Sequence, residues 1–533
     1  MKQKKFFSWR NFLAWVTFLF GVLICHYTGN RGVFPLDSFS HFDSGYRILN
    51  GEHPFKDYWI VSGFFIDYIQ SLIFYFLGIN WQTYILNASL LNGISSLLIY
   101  TLFNSLGLNF KLSFFYAICF SILAYPSSGT PFVDHHSTFL SILALVMLIK
   151  SMQTNKLYYW GLVPIFLFTA FLSKQVPATY IFLITILMII LHLYFQERKI
   201  SIRILYTLFT SSLILIALLF IFLKFHDVEI KNFLTQYIFY PSTIGEERYG
   251  TIKYDFKNTF LNFKFIYLAL FFLIFFTFEN LKKKQNFFNQ INLKVLLICI
   301  LTFLALAQHI IFTKNQIFIF FLIPFILGFA NIQLNMINCN YKKFLNIVLI
   351  IFCVGVTIKY HIRYNIERKF HELNNVEFSH SINAFDLSKK FYGLKWLTPK
   401  IKNKVENENE ISFLKYFGNI LKLDSSNKLV LTNYSIFSVL SKENVSGFSR
   451  WYPGDNTAFP IKNDKYFSNY KNLIISNIQK KNITTFYLLP DIKESNLLDY
   501  VDSNCFNKKE IKFKIIKFKL NDKCQDIFMW KKN

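Results

Sequence analysis

The sequence predicts a polytopic α-helical membrane protein with about eleven transmembrane helices, followed by a C-terminal extracytoplasmic α/β domain. Three observations favour this class. The chain of 533 residues is 53% hydrophobic, whereas soluble proteins average about 45–50%. Residues 1–360 hold nearly all of the excess, in runs of roughly 17–25 apolar residues that are long enough to cross a bilayer. Residues 361–533 instead alternate strand-like and helix-like segments, as small α/β domains do.

The apolar runs predict where the spans lie. They are residues 10–28, 82–106, 112–126, 135–152, 158–173, 177–195, 204–225, 264–280, 294–312, 316–334 and 344–360. The first run is long and lacks a small-residue cleavage site, so we interpret it as a retained span rather than a signal peptide. Segment 60–79 is apolar but carries Asp67 and Gln70, and we predict a helix that lies in the membrane interface.

Short loops rich in lysine and arginine predict the orientation of the chain. "QERKISIR" (196–203) and "LKKKQNFFNQINLK" (281–294) are two of them, and the positive-inside rule places them and the N-terminus in the cytoplasm. An odd number of spans then puts residues 361–533 outside, in the periplasm if the membrane is a bacterial inner membrane. Much of the net charge of +26 serves this orientation, so we expect membrane lipids, and no nucleic acid, as partners.

Two of the seven cysteines, Cys505 and Cys524, fall in the predicted external domain. They flank "KKEIKFKIIKFKL", which alternates like a strand. That compartment permits a disulfide, but the spacing in sequence does not establish whether the two sulfur atoms meet. The pairing is therefore left open at this point.

Unusual polar residues collect on the predicted outer side. They are Asp37 and Asp43 in the long first outer loop (29–81), Asp134, His135 and His136 in the second, Lys174 and Gln175 in the third, and Arg248 in the fourth. Ionisable groups near the membrane are costly, which suggests a functional site. Structural explanations stay open beside it: Asp37 as a turn residue, Asp134 as a helix N-cap, and Lys174 as a lysine that snorkels to the membrane surface.

These residue types suit group transfer from a phosphate leaving group. A carboxylate can deprotonate an acceptor hydroxyl or amine, and cations can hold the phosphate. Lys174 and Arg248 are the candidate cations, and Arg47 joins them if the first loop folds back. The Asp134–His135–His136 run could instead bind a divalent metal, but adjacent histidines on a helix point about 100° apart. We therefore assign no metal ligand, and no other cofactor is implied.

The first loop resembles that of the GT-C glycosyltransferases, polytopic enzymes that use sugars linked to lipid phosphates. It is most similar to bacterial relatives of the protein mannosyltransferases and of the aminoarabinose transferase. Asp37 begins the pattern, "RILNG" (47–51) follows, and then "FKDYW" (55–59). "FLSKQ" (171–175) resembles the Lys-Gln pair between spans in many bacterial members.

The resemblance implies a GT-C-like fold and an inverting transfer of sugar from a polyprenyl-phosphate donor to a cell-envelope glycan, lipid or protein. Asp37 matches the family's general base. Many members place a second acid directly after it, where this chain has Ser38, so Asp43 is the candidate substitute. The family's phosphate contacts are basic residues, which Lys174 of the Lys-Gln pair matches. Together with the polar residues of the outer loops, the candidate substrate-binding residues are Arg47, Asp134, His135, Lys174, Gln175 and Arg248.

Two other functions remain open from sequence. A transporter or lipid flippase of envelope polysaccharide synthesis would use the outer acids as an entry vestibule, but the spans carry few charges at mid-membrane depth. A membrane-anchored assembly protein would act through its external domain. In that domain "SRWYPGDNTAFP" (449–460) places Trp451, Tyr452 and Asp455 in a loop, which suggests a role in acceptor binding.

Overall fold

We describe the protein from a computed structural model. It describes residues 9–124, 129–249, 252, 254–282, 290–313, 317–338, 340–366, 373, 376–453 and 457–524, with residues 245–249 and 365–366 described by their backbone alone. In chain order the helices are α1 Trp9–Gly29, α2 Pro35–Ser38, α3 Ser40–Leu49, α4 Phe64–Leu77, α5 Trp81–Ser105, α6 Phe110–Ala124, α7 Val133–Thr154, α8 Leu157–Ser173, α9 Gln175–Tyr194, α10 Arg198–Phe225, α11 Ile230–Leu234, α12 Tyr240–Tyr249, α13 Phe256–Thr259, α14 Lys264–Leu281, α15 Ile291–Thr313, α16 Leu322–Met336, α17 Lys342–His361, α18 Lys404–Leu423, α19 Phe437–Ser441, α20 Phe467–Lys480 and α21 Ser495–Leu498.

The predicted fold class, a polytopic α-helical protein with a smaller C-terminal α/β part, is confirmed, while the extracytoplasmic location of that part stays a prediction. Within the described residues, nine helical segments are long and apolar enough to cross a membrane. The two other predicted spans coincide with the shorter apolar helices α6 and α8, so each of the eleven predicted spans falls on a helix. Segment 60–79 contains the 14-residue helix α4, and its location in the membrane interface stays a prediction.

The chain packs as two units. Unit 1 comprises residues 1–29, 88–218 and 248–370, and unit 2 comprises residues 30–87, 219–247 and 371–533. The sequence-based domains, 1–360 and 361–533, stay a prediction about membrane topology. By packing, however, residues 30–81 of the first loop belong with the C-terminal residues rather than with most of the apolar helices.

Unit 1 contains most of the apolar helices. α7 is buried along nearly its whole length, as expected for a helix surrounded by other helices, while its neighbour α9 leaves many large apolar side chains exposed. Such apolar exposure is typical of helices that face lipid. α8 and α9 are separated at Lys174, whose backbone is extended (φ −161°, ψ 136°), so this lysine marks a break between two apolar helices.

Unit 2 contains the β-structure. β1 Ile382–Asn383 and β2 Lys395–Trp396 form a short antiparallel pair. β3 Lys428–Leu431, β4 Thr485–Leu488, β5 Phe506–Ile511 and β6 Ile515–Leu520 form a four-stranded sheet in the order β3-β4-β6-β5. β3 and β4 are parallel, and the other two pairings are antiparallel.

The alternation along the strands of the four-stranded sheet builds a core on each of its faces. Val430 and Tyr487 pack on one face, in a core that includes residues of α18 and Phe42 and Trp81 of the first-loop segment. Leu429 and Phe486 pack on the other, in a core that includes residues of α20 and Trp59 of the first loop. The first loop thus supplies aromatic side chains to both cores of unit 2.

Cys505 and Cys524 form a disulfide with a Cα–Cα distance of 5.4 Å, which resolves the question that the sequence left open. The distance lies in the usual range for disulfides. Because the two cysteines bracket β5 and β6, the bond closes the base of this hairpin.

We predict that Gly63→Ala destabilises unit 2 by more than Gly51→Ala. Gly51 follows α3 and Gly63 precedes α4, and both have a φ near +80°, so alanine meets an unfavourable positive φ at both positions. A Cβ atom on Gly63 would lie 2.3 Å from Arg450 Nη1 and 2.5 Å from His41 Cε1, whereas one on Gly51 would have no atom within 4 Å. Apparent melting temperatures of the two full-length variants test this, and equal losses would contradict the close packing at Gly63.

Candidate functional site

In unit 2, Asp43 lies in the first turn of α3 and is 2% exposed. The Ser446 hydroxyl donates a hydrogen bond to Asp43 Oδ1 at 2.6 Å, and the hydroxyl oxygens of Ser446 and Ser438 lie 2.6 Å apart. Asp43 and Ser446 are about 400 residues apart in sequence, so a carboxylate of the first loop is held by the C-terminal part of the chain.

Asp43 also lines an open cleft in unit 2. The other walls come from residues within 430–437 and 445–452, and the cleft is small: its cavity volume is about 10 Å³, which is room for about one water molecule. Burial raises the pKa of Asp43 to about 6, although Arg47 and the hydrogen bond from Ser446 oppose the rise. A carboxylate that titrates near neutral pH beside a cleft is suited to acid–base chemistry.

The raised pKa of Asp43 predicts a pH dependence of stability. The native state keeps the Asp43 proton up to about pH 6, whereas an unfolded aspartate loses it near pH 4. The contribution of Asp43 to the free energy of unfolding is therefore fully present below about pH 4 and is lost as the pH rises to about 6. Comparing melting temperatures of the wild type and Asp43→Asn from pH 4 to 7 tests this: their difference should change across that window, and a constant difference would contradict it.

Asp37 is the third residue of the short helix α2, and its side chain is partly exposed. The following residue, Ser38, is buried, and its hydroxyl accepts a hydrogen bond from the backbone N–H of Phe34 at 3.1 Å. Ser38 therefore stabilises the turn that presents Asp37.

Arg47 is buried and tied within unit 2. Its Nε donates to Glu52 at 2.8 Å, its Nη1 donates to the Gly447 carbonyl at 2.9 Å, and its guanidinium lies 3.8 Å from the centre of the Tyr58 ring. Glu52 also accepts a hydrogen bond from Lys481 at 2.5 Å. These contacts of Arg47 are with residues of the first loop and of the C-terminal part of unit 2, and its role in phosphate binding stays a prediction.

Unit 2 also contains a buried charged cluster formed by His41 of α3, Asp67 of α4 and Arg450. None of these three residues was among the predicted site residues. His41 Nδ1 is 2.6 Å from Asp67 Oδ1, and Arg450 Nη2 is 3.0 Å from Asp67 Oδ2. Arg450 also donates to the Ser62 carbonyl. All three charged or ionisable side chains are at most 2% exposed. Asp67 within the apolar segment 60–79 was the available signal, and nothing in the sequence pairs it with Arg450.

Unit 1 has its own polar cluster, formed by Asp134, Lys174 and His309. Lys174 Nζ donates to both carboxylate oxygens of Asp134, at 2.7 and 2.8 Å. His309 Nε2 lies 2.6 Å from Asp134 Oδ1. Asp134 and His309 are buried, while the Lys174 side chain is 21% exposed. The structure thus brings together two predicted residues, Asp134 and Lys174, and adds His309, which was not among the predicted site residues.

The remaining predicted residues are placed as follows. The N-cap of α7 is Phe132, so the interpretation of Asp134 as an N-cap is wrong. His135 is buried with its ring 4.4 Å from that of Phe318, and Gln175 is the partly exposed first residue of α9. Arg248 belongs to α12, but its side chain lies outside the described residues, as does Asp455. In the described part of the chain, no group of three or more His, Cys, Asp or Glu side chains could hold a metal ion.

The chain can be compared with known families, curated proteins and solved structures. No family model matches the chain, and no curated protein matches its sequence. Among solved structures, it is similar to ArnT from Cupriavidus metallidurans, crystallised with undecaprenyl phosphate. The identity is 9% and the TM-score 0.46, over 96% of this chain and 97% of that one. Similarity at this level assigns no activity to the chain.

Proposed function

We propose that this protein transfers a sugar from a polyprenyl-phosphate carrier to a cell-envelope acceptor, on the outer face of the bacterial inner membrane. The observation that carries the proposal is the environment of the first-loop acids. Asp37 is partly exposed, and Asp43 opens on a cleft that is completed by C-terminal residues of the same unit. A transferase needs a carboxylate with access to an acceptor hydroxyl, and this loop offers one.

Asp37 is the proposed general base, following the resemblance of the first loop. It would take the proton from the acceptor hydroxyl as the acceptor oxygen attacks the anomeric carbon of the sugar. The bond between that carbon and the carrier phosphate breaks, and the configuration at the carbon inverts because attack and departure occur on opposite faces. Asp43 has the helper role, as a second carboxylate that binds the acceptor.

In unit 1, Lys174 is the proposed contact for the carrier phosphate. Its ammonium has three N–H donors, and the bonds to Asp134 account for two of them. Asp134 holds the lysine side chain in place and is itself in contact with His309, while the Lys174 side chain is 21% exposed. Arg248 stays a proposed second cation.

We expect Lys174→Gln to weaken binding of undecaprenyl phosphate about 10- to 100-fold, because a charge-assisted hydrogen bond contributes about 1.5–3 kcal/mol. Binding of the lipid to the full-length protein in nanodiscs measures the effect. Lys282→Gln is the matched control, since Lys282 is also an ion-paired lysine of the apolar region, next to Glu279. Equal affinities of the Lys174 variant and this control would argue against the proposed phosphate contact.

A further inference from the structure

We propose that one face of the β5–β6 hairpin binds an anionic glycan, whose acidic groups contact Lys509, Lys517 and Lys519. These three residues are called the lysine face below. This surface of unit 2 has no role in the proposed transfer reaction, so binding there does not depend on that reaction. Three features point to it: the strand register, the uneven charge of the two faces of the hairpin, and the groups beside the lysines.

The strand register places the three lysines side by side. Lys509 of β5 lies directly opposite Lys517 of β6, and the Cβ atoms of such pairs are about 5 Å apart. Side chains two residues apart on a strand share a face, so Lys519 is on the same face as Lys517 and diagonal to Lys509. The three Cβ atoms therefore lie within about 8 Å of one another.

The lysine face carries an excess of positive charge. Within the described residues, one carboxylate forms an ion pair with it: Asp424 Oδ2 lies 2.8 Å from Lys517 Nζ. Lys509 and Lys519 are exposed and form no ion pair with a described residue. Because like charges directly opposite each other destabilise a sheet, a bound anion would stabilise this face.

The opposite face of the same hairpin is balanced in charge. Lys508 and Glu510 share it by alternation, and Lys508 Nζ is 2.6 Å from Glu494. Phe518 packs in the core on that side of the sheet, whereas Ile515 packs in the core on the side of the lysine face. Lysines that only protect an edge strand from pairing need not lie on one face, so their segregation indicates a binding surface.

The groups beside the lysine face are polar. Lys519 has Asn507 opposite it on β5 and Thr485 opposite it on β4. Asn507 is exposed, and the Thr485 hydroxyl accepts a hydrogen bond from Ser426 at 2.9 Å. A surface that inserts into a membrane would place large apolar side chains beside the cations. Amide and hydroxyl groups instead match the hydroxyls of a sugar chain.

An aromatic ring at the turn adds a surface for a sugar ring. Phe513 lies four residues along the chain from both Lys509 and Lys517, and it is 42% exposed. Its φ of 65° is in the left-handed region, which is unfavourable for a bulky residue. The turn therefore presents this ring at a conformational cost. The apolar C–H face of a sugar can pack on such a ring, with Lys512 Nζ 5.1 Å from its centre.

The double variant Lys509→Gln, Lys519→Gln tests the proposal. Its matched control is Lys508→Gln, Lys493→Gln, which also removes two exposed positive charges, one of them from the other face of β5. The full-length protein is held in nanodiscs of net-neutral phosphatidylcholine, and binding of fluorescent oligogalacturonate, a chain of acidic sugars, is measured by anisotropy. Dextran is the uncharged glycan, and vesicles of equal parts phosphatidylcholine and phosphatidylglycerol represent a lipid surface.

We expect the lysine-face variant to bind oligogalacturonate about tenfold more weakly than the wild type, and the control variant to stay within about twofold. The proposal is overturned if both variants lose affinity equally, if dextran binds as well as oligogalacturonate, or if anionic vesicles alone bind with this dependence. Because the substitutions relieve a like-charge contact, the melting temperature of the lysine-face variant should not fall. A fall would contradict the like-charge contact on which the proposal rests.

Discussion

Replacing Asp37 with asparagine is expected to lower the rate of sugar transfer by about 10²–10⁴-fold, the range over which a general base contributes. Asparagine has nearly the same shape as aspartate but cannot take up a proton. Because Asp37 is partly exposed on a short helical turn, the substitution should leave stability almost unchanged. A loss of activity with an unchanged melting temperature would therefore point to chemistry rather than to folding.

The measurement is transfer of radiolabelled sugar from a polyprenyl-phosphate donor pool into envelope glycans, in membranes that carry equal amounts of each variant. Asp386→Asn, at an exposed aspartate of unit 2, is the control. Asp43→Asn should show a smaller loss if Asp43 only binds the acceptor, whereas the reverse order would make Asp43 the base. Unchanged transfer in the Asp37 variant would reject the mechanism proposed for this chain.

Arg450→Met is expected to produce the largest loss of stability, about 3–5 kcal/mol, which is typical when one partner of a buried ion pair is removed. The methionine fills much of the arginine volume but leaves one Asp67 oxygen without its cation, in a place where Asp67 is fully buried. The Ser62 carbonyl also loses its donor. The expected result is a lower melting temperature and faster hydrogen exchange in unit 2.

A double variant separates charge from packing. Asp67→Asn combined with Arg450→Met removes both charges, so it should be more stable than Arg450→Met alone. Lys462→Met, at an exposed lysine, is the control for loss of a positive charge on the surface. If the double variant were as unstable as Arg450→Met, the buried charge of Asp67 would not be the cause.

The residues that sequence reasoning placed well share a local signal. Each span was predicted from the length of an apolar run in the sequence. Lys174 was predicted to lie between two spans because the apolar pattern breaks there. His41, Ser446 and Arg450 carry no such signal, since each is an ordinary residue in its own segment. Their roles arise from contacts across roughly 400 positions of the chain.

The sequence by itself was enough to predict the helical class of the protein, the positions of its long apolar helices and a cluster of unusual acids in the first loop. These features follow from hydrophobicity and charge, which act over neighbouring residues. Only the tertiary structure decided that the first loop shares its cores with the C-terminal strands, that Arg47 pairs with Glu52 rather than standing open to a ligand, and that Asp43 meets Ser446 at a cleft. The physical reason is burial: a charge removed from water must find a partner, and the partner can come from any part of the chain that folding brings close.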